Sequence, residues 1–209
     1  MCGFNQVCIL KHSVRRDGFV RYDKTQIISK GGFGNMELWD ILDQSGNRTG
    51  RKMVRGQRRL LSGEYHLVVH IWPFDKNGQL LIQRRANTRK LMPNEWAATG
   101  GSAVSGEDSI TAAMRELHEE LGIETTPNEF LFARRLKRKN SFLDVWFVKV
   151  DVDICSLKLQ KEEVSEVRWI GGNQLKYLVK QGRYHNYGRE YFELVTNSLN
   201  KFKTEGSTL

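Results

Sequence analysis

Cysteine is scarce in this chain, with three residues, Cys2, Cys8 and Cys155, among 209. An odd set without metal-ligand spacing excludes a disulfide framework and a cysteine-built zinc site, and it points to reduced thiols in a cytoplasm. Cys155 stands in an apolar, strand-like context, where a thiol serves as a small core residue. No apolar run is long enough to cross a bilayer. The opening MCGFNQVCILKHSVRR lacks the order and cleavage site of a signal peptide. Internal repeats and low-complexity tracts are missing too. A clean basic helix and an aromatic RNA-binding signature are likewise absent, so the net charge of +9 does not mark a nucleic-acid binder. A positive field of that size suits a small polyanionic substrate, and an RNA-cap substrate would satisfy both readings.

Apolar residues make up 39% of the chain, and 209 residues give room for one substantial core. Residues 1–35 show no sustained period and little to bury. From Met36 the pattern changes abruptly to an apolar strand carrying Leu38, Ile41 and Leu42, closed by a Ser-Gly-Asn turn. We therefore expect residues 1–35 to be a translated leader or flexible extension, and 36–209 to be a single domain. His66–Phe74 and Gln79–Arg85 read as a hairpin closed by Asp75-Lys76-Asn77-Gly78, with its Asn-Gly turn. Strands are expected over 130–137, 142–152 and 166–170. Helices are expected over 173–180 and about 187–200, where apolar residues recur at helical spacing.

The strongest signal is GSAVSGEDSITAAMRELHEELGI, residues 101–123. Glu116, Glu119 and Glu120 stand at i, i+3 and i+4, which places three carboxylates side by side on one helix face. A charge run is ordinarily a solvated face, but a helix serving solubility would interleave lysines. A hard divalent cation removes the repulsion, because Mg²⁺ takes oxygen ligands together with substrate phosphates. Ala112, Ala113 and Met114 favour the helix, and Gly122 suits its C-terminus.

Gly101, Glu107 and Arg115-Glu116-Leu117-His118-Glu119-Glu120-Leu121-Gly122-Ile123 fill every fixed position of G-x5-E-x7-R-E-U-x-E-E-x-G-U, U being aliphatic. The segment resembles the Nudix box, and the resemblance runs from about Met36 to about Ile170. It implies a mixed α/β (α+β) fold, an α/β/α sandwich around a mixed sheet. It also implies hydrolysis of a diphosphate linkage in a nucleoside diphosphate joined to another group. By the same resemblance Glu116, Glu119 and Glu120 hold Mg²⁺, with Mn²⁺ as a substitute, and the Gly100 or Gly101 carbonyl is a further ligand. Arg115 orients a catalytic carboxylate, and Glu107 supports the metal shell. The base falls to Glu119, Glu120 or a glutamate of the 162–166 segment, where Glu163 is the candidate. These last are equally plausible as surface carboxylates.

Arg84 and Arg85 point to opposite faces of a strand, so one of them at most serves phosphate. Trp96 is either a base-stacking residue or a half-buried core tryptophan. His66 and His70, four residues apart in an extended chain, are too distant to share one metal. HLVVHIWPFDKNGQLLIQRRA also resembles type I isopentenyl-diphosphate isomerases, which share the fold. Their catalytic cysteine has no counterpart in Ala97-Ala98-Thr99-Gly100-Gly101, which disfavours isomerisation. Nudix-derived regulators usually show a decayed box and an added DNA-binding module, and neither is present. The expected partner is a small nucleotide-type substrate, with no membrane and no nucleic acid, and a homodimer is left open.

Overall fold

The computed structural model describes residues 37–205, together with the side chains as far as Lys203. The expectation for residues 1–35 lies outside the described residues. In chain order the strands and helices are β1 (Leu38–Leu42), β2 (Arg48–Val54), β3 (His66–Phe74), β4 (Leu80–Arg85), β5 (Trp96–Ala97), β6 (Thr99–Ser102), α1 (Ser109–Leu121), β7 (Phe130–Lys137), β8 (Ser141–Lys149), β9 (Val164–Ile170), α2 (Gly172–Lys180) and α3 (Arg189–Glu205). The first two strands form an antiparallel ribbon, and the other seven form one mixed sheet.

Side chains alternate across that sheet, so each face builds its own core. On one face Val69, Ile71 and Leu81 meet Ala112, Ala113, Leu117 and Leu121 of α1. On the other, Trp72, Phe74, Leu80 and Ile82 meet Leu175 of α2 and Tyr191, Val195 and Leu199 of α3. This is the expected α/β/α sandwich. Each buried leucine or isoleucine contributes about 1.5–3 kcal/mol.

The hairpin expected between β3 and β4 is only partly realised. The strands pair at Phe74 and Leu80 and then part. Beyond the turn β3 runs parallel to β8 for nine register pairs, from His66–Ser141 to Phe74–Lys149, while β4 pairs with β9. The connection before α1 fills the fork, with β5 on β4 and β6 on β3. An Asn-Gly turn fixes only the first rung of a hairpin. The later rungs go to whichever neighbours bury the most apolar surface, and that contest is tertiary.

Cys155 also departs from expectation. β8 ends at Lys149, and Cys155 follows in a 3₁₀ turn capped by Asp153, where it is exposed rather than in the core.

Candidate active site

α1 is well defined at both ends. The Asp108 carboxylate accepts from the Thr111 amide at 2.9 Å, an N-cap that satisfies an otherwise orphaned donor. Gly122 closes the helix at φ 69°, and its N–H donates to the His118 carbonyl at 2.8 Å. Ala113, Leu117 and Leu121 form the buried stripe. Glu120, three residues after Leu117, falls on the margin of that stripe and is drawn inward, 3% exposed. Glu119 stays on the exposed side of the helix.

The inward carboxylate lands in the fork between β3 and β4. Glu120 Oε2 accepts from the Gly100 amide at 3.0 Å and from Gln83 Nε2 at 3.0 Å. Thr99 Oγ1 donates to Gln83 Oε1 at 3.2 Å, which fixes the orientation of that amide. Gly100 has φ 146°, and an added Cβ would collide with the Val69 carbonyl oxygen. Only glycine fits there. At Gly101 a Cβ would meet the Glu116 carboxylate instead, so the backbone and that side chain are in close approach.

Arg115 organises the remaining carboxylates. Its Nε and Nη2 donate to the two Glu107 oxygens at 2.7 and 3.0 Å, a bidentate pair. Nη1 donates to Glu116 at 2.9 Å and to Glu119 at 3.2 Å, and Nη2 also reaches the Ser102 carbonyl at 3.1 Å. The Val104 amide donates to Glu107 as well. Both Glu107 oxygens are thus occupied, and its place is beside the guanidinium. Burial raises Glu116 well above the usual carboxylate range. Arg115 opposes that shift and Glu119 adds to it. Burial likewise raises Glu120, with the Glu116 charge adding to it and the Gln83 and Gly100 donors opposing.

Among the described residues no three carboxylates, imidazoles or thiols surround one point at ligating distance. The carboxylates are instead arranged about an internal cation, Arg115. The donor chemistry nonetheless fits a hard divalent ion. All donors are oxygen, and Glu116 and Glu120 are desolvated with only partial compensation. Such a pair is destabilising until a cation joins it.

The other residues singled out by sequence are divided by the structure. Glu163 lies 2.5 Å from Arg89 and 4.0 Å from Arg85, and its charge adds to the raising of Glu120. Arg85 is buried and its Nε donates to the Leu91 carbonyl at 3.0 Å. Arg84, on the opposite face, bonds to the Asn94 carbonyl and faces Glu166. Trp96 sits in the core at 4% exposure with the Arg168 guanidinium 4.9 Å from its ring centroid. Of its two readings, the structure places it as a core tryptophan.

Sequence reasoning missed an aromatic wall on the α3 side. His70, in register with Gly100, is 2.7 Å from the Tyr191 hydroxyl through Nδ1, and Trp72 Nε1 donates to that same oxygen at 2.9 Å. The phenol proton is thereby free to go to His70, which burial holds neutral, down to about 3. Tyr187 lies 4.8 Å from the His70 ring. Its hydroxyl is pushed up to about 12, chiefly by burial, with Arg85, Arg138 and Glu120 all acting on it. His66, by contrast, stacks on Trp39 at 4.0 Å. Gln83 was within reach of the sequence, two residues before Arg85 on the same strand face. The wall was not, because its tyrosines come from a segment some hundred residues downstream of His70.

The chain matches the NUDIX domain family over residues 64–192, and it belongs to that family. It is a hydrolase of the Nudix type. An uncharacterized Nudix hydrolase of Listeria monocytogenes is 39% identical over 153 residues, covering 73% of this chain and 90% of that protein. An isopentenyl-diphosphate Delta-isomerase of Escherichia coli is 32% identical over 110 residues, covering 50% and 60%. Among solved structures, DR0079 from Deinococcus radiodurans is similar in fold, with a TM-score of 0.63 at 22% identity over 77% of this chain and 98% of that one.

Proposed function

We propose that this enzyme hydrolyses the diphosphate linkage of a nucleoside diphosphate joined to another group, with Mg²⁺ as cofactor and Mn²⁺ as a substitute. The observation that carries the reading is a complete box whose Glu120 carboxylate is desolvated and held at Gly100 and Gln83. Glu116, Glu119 and Glu120 would hold the metal, together with the carbonyl of Gly100 or Gly101. The bound ion supplies charge neutralisation at phosphoryl oxygens and a more acidic water. Arg115 keeps Glu116 and Glu119 in position, and Glu107 fixes Arg115 in turn. The water proton would pass to Glu119, to Glu120 or to a glutamate of the 162–166 segment such as Glu163. Positioning and electrostatics supply most of the rate in phosphoryl transfer.

The functional unit spans residues 36–209 and works in the cytoplasm on a small nucleotide-type substrate. Isomerisation of isopentenyl diphosphate is disfavoured, since the connection entering the box, Ala97-Ala98-Thr99-Gly100-Gly101, contains no cysteine. A panel of nucleoside diphosphate derivatives with Mg²⁺ tests the reading, each product being identified by phosphorus NMR. Cleavage of a nucleotide-linked diphosphate is expected. Formation of dimethylallyl diphosphate from isopentenyl diphosphate at a catalytic rate overturns it.

A further inference from the structure

Among the described residues, arginines that are wholly or partly buried face carboxylates, with one exception. Arg85 and Arg89 face Glu163, Arg84 faces Glu166, and Arg115 is ringed by Glu107, Glu116 and Glu119. Arg138, in the turn between β7 and β8, is partly buried, yet no carboxylate or side-chain hydrogen bond meets its guanidinium. The Tyr187 ring lies against it, 6.0 Å away at the centroid, and Tyr191 also acts on it. Burial accordingly pulls its pKa below the usual arginine value. A cation on a ring face is held more weakly than one that makes a charge-assisted hydrogen bond. The guanidinium is desolvated and under-compensated.

Tyr187 links this cation to the active site. Arg138 lies against the Tyr187 ring, and the Glu120 charge also acts on that phenol. Its ring packs against His70, and His70 is in register with Gly100, the residue that donates to Glu120. The wall between them consists of neutral His70, Tyr187 and Tyr191 and offers no competing anion. The Arg138 backbone is fixed, since its amide donates to the Ser141 carbonyl at 2.8 Å and closes the turn.

We propose that Arg138 is the anion anchor of the substrate cleft, gripping a phosphate on the far side of Tyr187 from the box carboxylates. The inference rests on the diphosphate-hydrolase reading above. A guanidinium presents a planar fork that matches two phosphate oxygens, a geometry lysine lacks. Arg138 thereby favours substrates that extend a second anionic group past the reacting centre. It binds substrate and transition state alike, so its loss raises KM more than it lowers kcat.

The test is calorimetric titration of the full chain with inorganic diphosphate, without divalent ions, so that binding is read apart from turnover. R138Q is expected to weaken Kd by about tenfold or more, corresponding to one charge-assisted hydrogen bond. R138K keeps the charge without the fork and should fall between R138Q and wild type. R134Q removes an exposed arginine from β7, the edge strand that leads into that turn, and should stay within about twofold of wild type, which excludes a bulk-charge effect. Unaltered Kd in R138Q overturns the proposal, as does equal weakening in R134Q or no saturable binding by wild type. Should R138Q fail to fold, R138K decides alone, and a wild-type Kd there overturns it. If diphosphate binding is lost in R138Q while no nucleotide in the panel is hydrolysed, the anchor stands and the hydrolase reading falls.

Discussion

Glu120 and Gln83 are 37 residues apart in the chain and 3.0 Å apart in space. One sits on the catalytic-box helix and the other on the strand that has parted from its hairpin partner. Their contact spans the fork in the sheet, and Gly100 completes it from the opposite prong. The fork holds a carboxylate where an apolar side chain would otherwise pack.

A buried carboxylate is easier to keep protonated than ionised. Because burial raises Glu116 and Glu120 in the folded protein, their contribution to stability is full below the unfolded value. It is lost as pH rises through the folded values. In chelator, thermal unfolding should therefore show wild type losing stability as pH rises from about 5 toward 8. E120Q should flatten that loss while abolishing most hydrolysis. A steeper decline in E120Q would contradict the assignment.

Mg²⁺ should reverse the same loss. A ligand that binds only the folded state at about 100 times its Kd adds about 2.7 kcal/mol, and the gain should be smaller in E120Q. Melting curves with and without Mg²⁺ measure it. Equal gains in both proteins would remove Glu120 from the metal site.

The two glycines entering the box should behave differently on substitution. G100A forces a Cβ onto the Val69 carbonyl oxygen at a left-handed φ and should cost about 1–3 kcal/mol of stability, seen in urea unfolding. G101A meets the movable end of Glu116, so it should keep most of its stability and lose metal affinity.

R115K should be damaging despite keeping its charge. The Glu107 carboxylate loses a bidentate partner, and breaking a buried pair costs about 3–5 kcal/mol when one charge is left alone. Lysine restores part of that and cannot reach Glu107, Glu116 and Glu119 together. Urea unfolding and kcat should both fall. Wild-type values in either would remove Arg115 from the hub.

Acid should destabilise the α3 side through His70. Buried and neutral, with its value driven down to about 3, His70 cannot take up the proton that the unfolded chain takes below about 6.5. The stability it contributes is complete above that value and is lost as pH falls from about 6.5 toward 3. H70Q should show a shallower acid slope in thermal unfolding between pH 6.5 and 4. An unchanged slope would assign the acid loss to the carboxylates.

The local parts of this protein were legible in the sequence. The periodic apolar stripe and Gly122 define α1, the i, i+3, i+4 glutamates define its carboxylate face, and the box identifies the family. Each depends on residues within a few turns of one another, where backbone geometry alone sets the neighbours. The parting of β3 from β4, the inward turn of Glu120 and the exposure of Cys155 were not legible. Each results from a competition among distant segments for the same buried space. Arg138 makes the same point for the candidate site. One of a scatter of basic residues in the sequence, it is distinguished in the fold by resting on Tyr187 with no carboxylate facing it among the described residues. Sequence determined which carboxylates and guanidinium share the box helix. Tertiary packing decided which were desolvated, and desolvation makes a charge available to a ligand.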